Sequence, residues 1–146
     1  MRRGTITLAI ESRLQDVFLI GLAVNKICSA IPLPDDDVYQ LELCVVEAVN
    51  NSIEHAYSSE EGHRVEVVTT VDPERIEFQI CDSGASMDFD EAHARSTTQD
   101  LLSEGGRGLM IMQSFMDEIS YTRVGDQNVL TMSKLLPGES PVALVK

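Results

Sequence analysis

The sequence contains no apolar run long enough to cross a bilayer: the longest, residues 17–24, falls far short of the roughly 20 residues that a spanning helix needs. The basic start Met1-Arg2-Arg3 leads into no apolar h-region, because Glu11 and Arg13 intervene first, so neither secretion nor membrane insertion is expected. Cysteine is scarce. Cys28, Cys44 and Cys81 lie far apart among apolar neighbours, form no CxxC pair and cannot close a disulfide framework, so they read as buried thiols of a reducing cytoplasm. Positive charge is also short, with 11 Lys and Arg against 24 Asp and Glu. The resulting net charge of −13 repels polyphosphate backbones, and no nucleic-acid partner is expected. Apolar residues at 43% and charged residues at 24% are near globular averages, so the acidity belongs to the surface of a folded protein. The 146 residues suit one domain, with a core expected over about residues 4–136 and a tail at 137–146.

Gly4–Glu11 alternates, with Ile6, Leu8 and Ile10 on one side, and predicts a half-buried strand. Over residues 13–31 apolar positions recur at helical spacing until Pro32 and Pro34 stop the run. Asp35, Asp36 and Asp37 then supply N-cap candidates and first-turn negative charge for a longer helix reaching Tyr57. Residues 64–71 and 76–81 predict a hairpin across Asp72-Pro73. Residues 82–108 are rich in Ser, Thr, Asp and Gly, and long for a connection inside a domain; the part from 86 to 105 is expected to act as a lid. A short helix at 109–116, a strand at 118–124, a turn at 125–128 and a last strand at 129–136 complete the chain. This order predicts an α+β sandwich, with helices on one face of a mixed, largely antiparallel sheet.

Three segments carry candidate chemistry. On the long helix, Glu47, Asn50, Asn51, Glu54 and His55 share an arc opposite the apolar stripe. A solvated face explains such an arc, yet two adjacent asparagines inside a helix together cost on the order of 1 kcal/mol against alanine. Glu47 and Asn51, spaced i and i+4, suit a base beside a hard-cation ligand. Asp82-Ser83-Gly84 reads either as a plain turn or as an acceptor for an exocyclic amine with a glycine that allows close approach. Gly105-Gly106-Arg107-Gly108 reads either as a flexible loop end or as a phosphate-binding loop at a helix N-terminus. It has neither the Lys-Ser or Lys-Thr of a Walker A loop nor the spacing of a dinucleotide fold.

In this order, Glu47 to Tyr57, then Asp82 to Gly84, then Gly106 to Leu109 resembles the N, G1 and G2 boxes of the GHKL ATP-binding superfamily, which includes gyrase, Hsp90, histidine kinases and MutL. The Glu54-His55-Ala56-Tyr57 ending and the Phe115-Met116-Asp117-Glu118 sequence resemble more specifically the anti-sigma-factor serine kinases of bacterial partner-switching systems. The resemblance implies a Bergerat-type fold and a cytoplasmic protein-serine/threonine kinase that uses ATP and Mg²⁺. It implies that Glu47 is the general base and that Asn51 binds the Mg²⁺ bridging the ATP phosphates. His55 then lies inside the nucleotide site, and Asp82 takes the adenine amine above Gly84. Gly106 and Gly108 close over the phosphates and Leu109 belongs to the same nucleotide-binding box; Arg107 either neutralises phosphate charge or is a solvated loop residue, and Thr131 either matches a second adenine contact or is an ordinary strand threonine. The implied partners are a STAS-type antagonist as phosphorylation substrate, a sigma factor or analogous regulator, and a second copy in a homodimer through the first strand. Two departures are visible: Ser86-Met87-Asp88 stands in place of Pro-Phe-Asp, and Leu130 precedes Thr131 where a Gly-Thr pair is common. A nucleotide-gated binding protein without phosphotransfer, and a detached histidine-kinase-like ATPase domain, are the alternatives.

Overall fold

Strand β1 (Gly4–Glu11) forms where the alternation predicts it, and a single 3₁₀ turn (Leu14–Asp16) leads into α1 (Val17–Ser29). Helix α2 (Asp35–Asn51) starts directly after Pro34, with three aspartates in its first turn beside the positive end of the helix dipole. Strands β2 (Arg64–Val71) and β3 (Arg75–Asp82) follow, then α3 (Glu104–Phe115), β4 (Glu118–Val124) and β5 (Gln127–Leu135). The structure, a computed structural model, describes residues 3–86 and 104–137. The lid expected over 86–105 therefore falls almost wholly outside the described residues, as do Met87 and Asp88 and the tail from 138 on.

The five strands lie in the order β1-β2-β3-β5-β4, and every neighbouring pair is antiparallel. The expected mixed character is thus absent among the described strands. Helix α2 packs against both α1 and α3 and on β3. Its Val38, Leu41, Val45 and Val49 meet Val65 and Val67 of β2, Ile76, Phe78 and Ile80 of β3, and Leu130 and Met132 of β5 in one core. Strand alternation puts the apolar set on the helix side and leaves Glu66, Glu77, Gln79 and Thr131 on the other. Among the described residues no helix is long and apolar enough to cross a membrane.

Cys28 and Cys44 are buried as expected, whereas Cys81 is half-buried because β3 turns it to the outer face of the sheet between Ile80 and Asp82. Burial pushes both core thiols up to about 12, with Glu42 adding at Cys28 and Glu47 at Cys44, where Lys134 opposes. Unfolded thiols ionise near pH 8.5, so above that pH the unfolded chain binds fewer protons than the native one. Their contribution is therefore complete below about pH 8.5 and is lost as pH rises toward 12. Denaturant unfolding should show a loss of roughly 2 kcal/mol per thiol by about pH 10. A Cys28→Ala, Cys44→Ala double variant should decline less steeply over the same range.

Candidate functional site

The polar arc on α2 ends in a change of helix type. Asn51 is the last α-helical residue, and Ser52–Ala56 forms a single π turn, closed by the Tyr57 N–H donating to the Ser52 carbonyl at 3.1 Å. Such one-turn π segments inside helices often sit at functional sites. Glu47, Asn50, Asn51 and Glu54 are half-buried, and His55 is exposed. Glu47 and Asn51, one turn apart, face α3 together. A Cβ built on Gly108 would lie 3.2 Å from Glu47 Oε2 and 3.3 Å from Asn51 Nδ2. The i, i+4 spacing thus brings a carboxylate and an amide against the backbone of the third glycine-rich segment.

Asp82 closes β3 and is 5% exposed. Its Oδ1 accepts from the Gly84 N–H at 3.0 Å and from Asn128 Nδ2 at 2.8 Å, and neither bond uses Oδ2. Three contacts tie the turn after Asp82 to the end of the π segment. The Ala85 N–H donates to the Ala56 carbonyl at 2.9 Å. The Ser83 N–H donates to the Tyr57 hydroxyl at 2.7 Å, and that hydroxyl donates in turn to the Arg64 carbonyl at 2.7 Å. Gly84 lies so close to Ala56 that a Cβ there would come within 2.3 Å of its carbonyl oxygen. The close approach expected at Gly84 is therefore, in the protein itself, to the helix end. His63 stacks on the Tyr57 ring at 4.6 Å and 9°, and burial pushes the Tyr57 hydroxyl above its ordinary value.

The third segment differs from expectation. Helix α3 begins at Glu104 rather than near Leu109, so Gly105, Gly106, Arg107 and Gly108 belong to its first turns instead of a preceding loop. Glycine there costs about 1 kcal/mol per residue in helix propensity, which Leu109 and Met112, both buried, offset by anchoring the next turn. The free N–H groups of the helix start consequently belong to residues 104–107.

Thr131 is not brought to Asp82. Its cross-strand partners are Gln79 and Ser120, and strand alternation points it away from the helices, onto the face opposite Asp82. The residue opposite Asp82 is Asn128, which sequence reading placed in a turn because Gly125-Asp126-Gln127-Asn128 is turn-like throughout. The turn has only two central residues, Gly125 at φ 62° and Asp126, so β5 begins at Gln127. Arg123, also absent from the sequence reading, donates from Nη1 to Asn128 Oδ1 at 2.8 Å. The signal that could have found both is the glycine itself, since Gly at the first central position favours a two-residue hairpin turn.

Among the described residues no cluster of three or more His, Cys, Asp or Glu could hold a metal ion. The neighbouring Glu47 carboxylate and Asn51 amide do fit an ion such as Mg²⁺, which keeps water and phosphate oxygens as most of its ligands and takes few from protein.

The model of the histidine kinase-like ATPase domain matches residues 10–134. The chain is 34% identical over 140 residues to the serine-protein kinase RsbW of Bacillus velezensis, covering 92% of this chain and 87% of that protein. It is 32% identical over 142 residues to the RsbW of Bacillus subtilis, with the same coverage. Among solved structures, the histidine kinase domain of the Erythrobacter litoralis EL346 blue-light activated histidine kinase superposes with a TM-score of 0.55 at 18% identity. That likeness covers 86% of this chain and 61% of that one, and it establishes the shared fold. A family model that spans residues 10–134 and RsbW relatives that are 34% and 32% identical over 92% of the chain show that this protein belongs to the histidine kinase-like ATPase family.

Proposed function

We propose that the protein is an anti-sigma factor and serine-protein kinase, transferring the γ-phosphoryl group of ATP to a serine of an antagonist protein and thereby controlling sequestration of a sigma factor or similar regulator. The observation that carries this reading is the meeting of Glu47 and Asn51 with Gly108, which joins the proposed base to the segment proposed to hold phosphate. In the transfer, the serine Oγ forms a bond to the γ-phosphorus as the bond to the β-γ bridging oxygen breaks. The serine proton passes to Glu47, and ADP leaves. Bound with ATP, Mg²⁺ offsets the charge of the phosphates, with Asn51 as its protein ligand. Asp82 Oδ2 accepts the adenine amine, and the N–H groups at the start of α3 face the phosphates. His55 and Arg107 are proposed as further nucleotide-binding residues.

The antagonist is proposed to be of the STAS type, and the free kinase to pair with a second copy. Edge strand β1, on which only Leu8 and Ile10 are even half-buried, and the exposed Phe18, Leu19 and Leu22 of α1 support association through this end of the sheet. The unpaired thiols fit a reducing, cytoplasmic setting in a bacterial cell.

Calorimetric titration with ATP, with and without Mg²⁺, tests the site. Asp82→Asn should weaken ATP binding more than tenfold, about 1.4 kcal/mol, because the amine loses its charged acceptor. Asn51→Ala should remove the dependence on Mg²⁺. Unchanged ATP affinity in Asp82→Asn would take this residue out of the adenine pocket.

A further inference from the structure

The register of three adjacent strands builds a row of side chains at one end of the sheet. The two-residue turn pairs Val124 with Gln127 and so sets Arg123 opposite Asn128, while β3 sets Asp82 opposite the same Asn128 from the other side. Asn128 is 1% exposed, and its hydrogen-bonding capacity is spent on this row. Its Nδ2 donates to Asp82 Oδ1 at 2.8 Å, to the Gly84 carbonyl at 3.1 Å and to the Ala85 carbonyl at 3.2 Å. Its Oδ1 accepts from Arg123 Nη1 at 2.8 Å, and Arg123 Nη1 also reaches the Gly84 carbonyl at 3.3 Å. The amide orientation is therefore fixed from both ends, because only the nitrogen can serve three acceptors and only the oxygen can face the guanidinium.

We propose that Asn128, held by Arg123, is a positioning residue that locks the Asp82 carboxylate with Oδ1 occupied and Oδ2 presented, and that this lock sets selectivity for a purine carrying a 6-amino group. The inference rests on the reading of the site as an ATP site. An aspartate on a strand end turns about its side-chain bonds, and a freely turning carboxylate offers either oxygen in many directions. With Asn128 and the Gly84 N–H both consuming Oδ1, the group facing the base is an acceptor with one direction. A 6-oxo purine brings a second acceptor to that place and is rejected, as buried polar sites reject a partner that leaves their groups unpaired. Arg123 acts from outside: it fixes the amide and, at the Gly84 carbonyl, the loop that carries the base.

The test compares ATP with purine riboside triphosphate, which lacks only the 6-amino group, and with GTP, by calorimetry on the whole chain. The unsubstituted protein should bind ATP at least tenfold more tightly than purine riboside triphosphate and should reject GTP. In Asn128→Ala the ratio of ATP to purine riboside triphosphate affinity should collapse to within about threefold, chiefly through loss of ATP affinity. Exposed Arg123→Met, which spares the buried amide, should lower the ratio severalfold in a protein whose melting temperature is nearly unchanged. A role confined to closing the hairpin would lower both affinities together and keep the ratio, and that outcome in both variants overturns the proposal. A ratio near one in the unsubstituted protein overturns instead the adenine reading on which the proposal depends, so the two failures are distinct.

Discussion

Gly84→Ala is expected to lower both the stability of the fold and its affinity for ATP. The new methyl carbon would stand 2.3 Å from the Ala56 carbonyl oxygen, 2.6 Å from its carbon and 2.9 Å from its Cβ, and most of what it meets is backbone. Backbone cannot swing aside as a long side chain can. Overpacking of this kind costs typically 1–3 kcal/mol, and separating the segments also breaks the Ala85 to Ala56 hydrogen bond, worth about 1 kcal/mol. A total near 3 kcal/mol is the expectation, read as a fall of roughly 10 °C in melting temperature. ATP affinity should fall as well, since Asp82 Oδ1 is bonded to the N–H of this same residue. A variant within 1 kcal/mol of the parent that binds ATP normally would mean that the turn and the helix end are not in contact.

Glu47→Ala carries the second large effect, on catalysis rather than stability. Removing a general base lowers transfer by roughly 10²–10⁴-fold, whereas the interactions assigned to nucleotide binding lie on Asn51, Asp82 and the start of α3. Phosphate transfer from labelled ATP to a STAS-type antagonist should therefore become nearly undetectable, with ATP affinity changed only a few-fold. Glu47→Gln, which keeps the shape and loses the base, should match it. Transfer that persists in both variants would take Glu47 out of the role of general base, whereas ATP binding without any transfer by the unsubstituted protein would leave it as a nucleotide-gated binder whose role is sequestration alone.

The fold was legible wherever pattern was strong and local. The bounds of β1, β2 and β4 agree residue for residue with the alternation in the sequence, because half-buried strands must repeat every second residue. Helix α3 escaped in part: its first turns are glycine, and the buried Leu109 and Met112 that pull them into the helix act through tertiary packing invisible to propensity. The site was legible as residue types and only partly as geometry. Spacing alone put Glu47 and Asn51 on one face, but that they meet Gly108 depends on where α3 docks. Thr131 and Asn128 show the sharpest limit. They are three residues apart on one strand, and an odd separation places them on opposite faces, so a resemblance in residue type at Thr131 does not reveal that Asn128 is the residue set beside Asp82.

The π turn at Ser52–Ala56 constrains the length of the chain as well as its composition. Such a turn is an α-helix that has accepted one surplus residue, as a single-codon insertion would leave it. The helix end shaped by that surplus aims the Ala56 carbonyl at Ala85 and the Tyr57 hydroxyl at Ser83. Deleting any one residue of the turn would restore a regular helix and improve local geometry, yet it would withdraw both anchors from the neighbouring loop. Beyond the buried Ser52 and Ile53, what this stretch must keep is its count, a form of heredity written in spacing.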